Sequence, residues 1–224
     1  AVSWLKGCNR SHDKGYASPR PLGNVGSMTD ADSLSGTLLI AMPGMPDQRF
    51  SHAVVFLCAH SEEGAMGLIL NKPVPDLNFG ALLKTLDVPM QGAHSGLGDA
   101  PAQANDPVYY GGPVETSRGF VLHTPDVFLT DSSLSVTEFA SLSTSMDILA
   151  QVARGQGPAE VRLVLGYSGW GAGQLEDELR AGGWLTCPAD PGLLYGTMPE
   201  RLWSAALDKI GVDPRLLSSK SGRA

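Results

Sequence analysis

The sequence predicts a mixed α+β fold in a single domain, and three observations carry the prediction. The apolar runs are strand-sized, and none reaches the eighteen residues of a membrane span. The predicted elements follow the order strands, helix, strands, helix, strand, helix, strands, helix, which lacks the regular βαβ alternation of a doubly wound parallel sheet. A chain of 224 residues with 42% hydrophobic composition supports one well-buried core rather than two.

The elements follow from local pattern. "GTLLIAMPGMP" is a strand over Thr37–Ala41, stopped by Pro43 and Pro46. "HAVVFLCAH" is nearly continuously apolar, so it is a strand covered on both faces. "GAMGLILNKP" is a third strand, and the "SEEG" link between these two is short enough for an antiparallel hairpin. "NFGALLKTL" places Phe79, Leu82, Leu83 and Leu86 on one helical face. The Gly/Ala/Pro-rich "DVPMQGAHSGLGDAPAQANDP" reads as a mobile loop. "VYYGG" and "GFVLH" read as strands around a "GGPVETSR" turn, and "SLSVT" as a further strand. "STSMDILAQVARG" is a helix capped by Ser143 or Thr144 and ended by Gly155. "AEVRLVLGY" is a strand with Val161, Leu163 and Leu165 on one face, and "AGQLEDELRAGG" is a helix in which Glu176 can pair with Arg180. "WLTCP" and "LLYG" read as short strands. "PERLWSAALDKIG" is an amphipathic helix with Pro199 at its first position and Leu202, Trp203, Ala206, Leu207 and Ile210 facing the core.

Residues 1–33 are Gly/Ser/Pro-rich, lack periodicity and have no signal-peptide apolar region. They read as a disordered or non-native leader, with the domain over 34–213 and a flexible tail over 214–224. The net charge is −7, and without the first 27 residues the balance is −10. Such a body repels phosphate backbones and argues against direct nucleic-acid binding. Cys8, Cys58 and Cys187 form no C-x-x-C and no even framework, which points to a reducing, cytoplasmic setting.

The most chemical-looking segment is "LVLGYSGWGAGQLEDEL". A nucleophile elbow needs glycine two positions before and two after its serine; Gly166 fits, but Trp170 stands at the second place. No histidine follows Ser168. The segment also lacks the Lys-Ser/Thr of a phosphate loop. It can still be a tight turn with Trp170 in the core, or a cradle where Gly169, Gly171 and Gly173 let a ligand approach the backbone. His52, Cys58 and His60 share strand parity but lie too far apart along one strand to hold a single metal, so no metal site is expected. Gly111, Gly112 and Pro113 make a rigid corner. Beyond it, Arg118 opens an otherwise apolar strand and needs a carboxylate or an anion.

Taken in series, "GTLLIAMPGMPDQRF", "AVVFLCAHSEEGAMGLILNKP", "YYGGPVETSRGFVLH", "LSTSMDILAQVARGQGP" and "LVLGYSGWGAGQLEDEL…GGWLTCPADPGLLYGT" resemble the AlgH/YqgE family of bacterial proteins over Leu34 to Val212. The resemblance implies a single α+β domain with a coiled, bifurcated mixed β-sheet and surrounding helices. It also implies a cytosolic protein of a largely uncharacterised family, some of whose members carry a transcriptional-regulator label from an alginate-related genetic association. The chain departs from the family pattern at Ser117, where an acid is common, at Met146, where an arginine is common, and at Ser168, where alanine is common.

The functional expectation is a non-enzymatic domain that binds a small molecule or a protein, without cofactor. The expected site joins Gly111, Gly112, Arg118, His123, Gly169, Trp170, Gly171 and Glu176: Arg118 meets a carboxylate or anion, Trp170 forms an apolar wall and the turn amides donate. The alternatives are regulation through a protein partner and a hydrolase using Ser168 or Cys58. If the leader lies outside the fold, removing residues 1–33 will leave the melting temperature unchanged; a fall on trimming will place it within the fold.

Overall fold

The computed structural model describes residues 33–89, 102–130 and 132–217. Residues 1–32 of the expected leader lie outside the described residues, as does most of the loop before Ala102; Ser33 is described, and its hydroxyl donates to Ser35 Oγ at 3.0 Å. The described body runs on to Leu217, with a short 3-10 turn at Pro214–Leu216.

The two apolar strands do form a hairpin, with Glu62 and Glu63 as the link: β2 (Val54–Ser61) pairs antiparallel with β3 (Gly64–Ile69). β1 (Thr37–Ala41) lies on the other side of β2 and carries β10 (Trp184–Pro188) on its outer edge. The remaining strands are β4 (Pro73–Asn78), β5 (Pro107–Tyr110), β6 (Val114–His123), β7 (Ser133–Thr137), β8 (Ala140–Ser143) and β9 (Val161–Gly171). The main order is β10-β1-β2-β3-β9-β6-β8-β7, with β4 and β5 branching off it.

β9 is where the sheet divides. One of its edges holds β6 antiparallel. The other is shared: Leu163–Leu165 pair parallel with β5, and Ser168–Gly171 pair antiparallel with β3. The chain covers the gap with Gly111, whose N–H donates to Leu165 O at 2.8 Å while its carbonyl accepts from Ile69 N–H at 2.9 Å and Ser168 Oγ–H at 3.1 Å. Close approach requires glycine here. A Cβ on Gly111 would lie 2.2 Å from Gly166 O, and one on Gly112, at φ +151, would lie 2.3 Å from the Tyr167 carbonyl carbon.

The period of two along the strands divides the core by sheet face. Val54, Phe56, Phe120, Leu122 and Val164 face a layer closed by α4 (Pro199–Lys209). On the opposite face, Val121, Leu163 and Leu165 pack with α1 (Phe79–Thr85) and α2 (Met146–Ala153) under one arm of the fork. Leu39, Val55, Leu57 and Trp170 pack with α3 (Gln174–Arg180) under the other. Among the described residues no helix is long and apolar enough to cross a membrane.

The structure corrects several local expectations. "VETSR" is not a turn but the first half of β6: Val114 pairs with Tyr167 of β9, and after a bulge pairing resumes between Gly119 and Leu165; the corner is Gly111–Pro113 alone. β9 runs through the glycines to Gly171, and its turn is Ala172–Gly173. "LLYG" is a π-helical turn, Gly192–Gly196, rather than a strand. Ser145, not Ser143 or Thr144, caps α2, since Ser143 belongs to β8. β4 and β8 had no readable alternation of their own. Arg180 pairs with Asp177 at 2.6 Å, and Glu176 points elsewhere.

Urea unfolding separates the two kinds of glycine. Gly111→Ala is expected to destabilise by about 3 kcal/mol through backbone overlap. Gly155→Ala, left-handed at φ +69 but facing open space, is expected to lose only about 1 kcal/mol.

Candidate functional site

The residues expected to form one site are distributed over both faces of the sheet. Arg118 is half-exposed, pairs with Glu115 Oε2 at 3.0 Å and lies 5.4 Å over the Phe120 ring, on the α4 face. Trp170 is buried on the opposite face. Its indole N–H donates to Glu178 Oε2 at 3.0 Å, and the same oxygen accepts from Trp184 Nε1 at 2.7 Å. The indole is therefore part of a clamp that fastens α3 to β9 and β10. Gly111 and Gly112 are packed against β9 backbone, leaving no room for a ligand to approach them. Gly169 and Gly171 are exposed; the Gly171 amide donates to Gln174 Oε1 at 3.1 Å. The intended concavity between guanidinium and indole is not formed, because the alternation of β6 and β9 sends the two side chains to opposite layers.

Both candidate nucleophiles are sealed. Ser168 is fully buried, and its hydroxyl supports the fork. Cys58 is buried, and desolvation pushes its thiol far above the ordinary range, away from the reactive thiolate.

Glu176 meets His60 instead. Leu34 N–H donates to His60 Nδ1 at 3.0 Å, so the neutral ring carries its proton on Nε2, which donates to Glu176 Oε1 at 2.6 Å. The Glu176 backbone N–H and His60 together hold this carboxyl below its ordinary range. The pair ties the start of the domain, β2 and α3 together.

His123 is fully buried in a directed chain of hydrogen bonds. Its Nδ1–H donates to Thr124 O at 2.7 Å, and Nε2 accepts from Ser143 Oγ at 2.8 Å. Ser143 in turn accepts from Ser133 Oγ at 2.6 Å, and Ser133 accepts from Leu129 N–H at 3.1 Å. Every member is satisfied, which is the arrangement that rigidifies a buried polar network.

A cavity of about 260 Å³ opens at the start of β9, where β5 and β9 run parallel. Phe79, Val152, Val161 and Leu163 supply apolar walls, Tyr109 and Tyr195 aromatic ones, and Asp106, Glu160 and Arg162 the charge. Arg162 is 6% exposed in the middle of an apolar strand. Its Nε donates to Leu194 O, Nη1 to Leu70 O at 3.3 Å, and Nη2 to Thr197 O at 3.0 Å and Tyr195 O at 3.5 Å. The guanidinium carbon lies 5.0 Å from the centre of the Tyr109 ring. Arg162 thus holds the π-helical turn onto the sheet using main-chain oxygens, and no carboxylate lies within ion-pair distance of it among the described residues. The sequence reading passed over Arg162, although a guanidinium inside "EVRLVL" carries the same signal that singled out Arg118. Asp106 and Glu160 stand immediately before β5 and β9, where no local pattern marks them.

Two consequences are measurable. Burial holds the His123 pKa below its ordinary 6.5. The unfolded chain then takes up a proton that the native chain refuses, so stability falls as pH drops through about 6.5 and levels off below the native pKa. His123→Gln is expected to reduce the slope of stability against pH between 7 and 5 in urea unfolding; an unchanged slope would discount the histidine. Arg162→Met, which leaves four carbonyls without their donor, is expected to destabilise by about 3 kcal/mol or more in the same assay.

Comparison with known proteins agrees with this architecture. The family model described as AlgH-like matches residues 38–215. A UPF0301 protein of Methylobacterium nodulans is 48% identical over 200 residues, 89% of this chain and 94% of that one. One from Ruegeria pomeroyi is 50% identical, covering 85% of this chain and 99% of the relative. The solution structure of AlgH from Pseudomonas aeruginosa superposes with a TM-score of 0.67 at 41% identity, covering 88% of this chain and all of that one. A Corynebacterium diphtheriae protein, DIP2367, shares the fold at 20% identity, with a TM-score of 0.58 over 77% of this chain and 84% of its own. The chain belongs to the AlgH-like family.

Proposed function

We propose that the protein is a non-catalytic, cytoplasmic binding domain whose ligand is a small molecule held in the cavity at the start of β9. The observation that carries this reading is the cavity itself: apolar and aromatic walls with a few convergent polar groups, at the place where two strands run parallel. Its volume of about 260 Å³ suits a fragment-sized ligand. The sealed state of Ser168 and Cys58 speaks for binding rather than hydrolysis. The corner and glycine-turn residues act in this reading as the frame that sets β5 and β9 side by side.

A thermal-shift screen of cellular metabolites on the full chain tests it. A ligand at a hundred times its Kd stabilises by about 2.7 kcal/mol, a rise of several degrees for a domain of this size. Val161→Phe, which fills the cavity from a half-buried position, is expected to abolish the shift. Hits that survive this change would place binding elsewhere, and a screen without hits would count against a small-molecule role.

A further inference from the structure

The polar groups of the cavity fall into two sets. The guanidinium of Arg162 is engaged by the Leu70, Leu194, Tyr195 and Thr197 carbonyls, and its face is covered by Tyr109. It has little left to offer an anion. The Asp106 and Glu160 carboxylates also line the cavity, and among the described residues neither side chain has a hydrogen-bond or ion-pair partner. Tyr109 is 5% exposed, and among the described residues its hydroxyl proton has no acceptor. The cavity therefore presents two free acceptors and a phenol above an apolar floor made by Phe79, Val152 and Leu163.

We infer that this cavity takes a small organic cation, an amidinium or protonated amine on a short apolar body. The inference rests on the binding reading above and assigns its ligand class. The cationic N–H groups bond to Asp106 and Glu160, and the body lies against Phe79 and the Tyr109 ring. An anion is opposed by both carboxylates. A neutral isostere adds nothing to the partial compensation that the Arg162 charge gives Asp106. Desolvation raises the Asp106 carboxyl pKa, the Arg162 charge opposes the rise, and the negative charge of Glu160 adds to it; a bound cation offsets the two raising effects.

Benzamidine, benzamide and benzoate, which share one flat body and differ in charge, separate the cases. Calorimetric titration of the full chain is expected to show benzamidine binding, benzamide at least tenfold weaker, and no benzoate binding. Asp106→Asn and Glu160→Gln, both at exposed positions, are each expected to weaken benzamidine about tenfold with unchanged melting temperature. Absence of benzamidine binding, or binding that neither variant weakens, overturns the inference. Benzoate binding that Val161→Phe abolishes overturns the ligand class while leaving the binding role intact. A failed metabolite screen together with silence from all three probes overturns both.

Discussion

The peptide group of Gly111 is the constraint on which the architecture turns. Its N–H and carbonyl make three hydrogen bonds, to β9, β3 and the Ser168 hydroxyl, at the point where the sheet divides. Buried backbone polar groups need partners, and a forked sheet leaves a gap in the ladder that only an intimate approach can fill. The space on the Cβ side of this residue is already occupied by the Gly166 carbonyl. Because that approach holds, β5 runs parallel to the first half of β9 while β3 takes the second half. The cavity and the two core layers on the α3 side follow from that division.

Three polar side chains inside the domain are satisfied in three different ways. Glu178 gathers two indole N–H groups and the Gln174 amide, so one carboxylate fixes a helix to two strands. His123 is neutral and closed into a chain of hydroxyls and main-chain groups. Arg162 spreads its guanidinium over four carbonyl oxygens and a phenol ring. The first two arrangements leave nothing for a ligand. The third sits beside carboxylates that have no partner among the described residues, and this sets the cavity apart from the first two arrangements.

Strong periodicity translated directly into structure. α4 begins at Pro199 and buries Leu202, Ala206 and Leu207, and the β2–β3 hairpin forms across its "SEEG" link. Segments whose conformation depends on a neighbour did not read the same way. "VETSR" is polar and turn-like in isolation yet extends in β6, held between the pairings of Val114 and Gly119 with β9, and "LLYG" is strand-like yet coils where Arg162 collects its carbonyls. The site suffered most. Arg118 and Trp170 each had a chemical rationale, but period-two alternation on two different strands sends them to opposite faces.

By itself the sequence determined the α+β class, the family, most helices and strands, and the acidity that opposes phosphate backbones. These depend on short-range pattern or on composition, and both are present in the chain before it folds. Only the tertiary structure decided which carboxylates stay unpaired, which guanidinium is engaged, and where a hollow is left. Asp106 and Glu160 are more than fifty residues apart in the chain and meet because β5 and β9 are laid side by side. That adjacency is a property of the fork, and no local window of residues contains it.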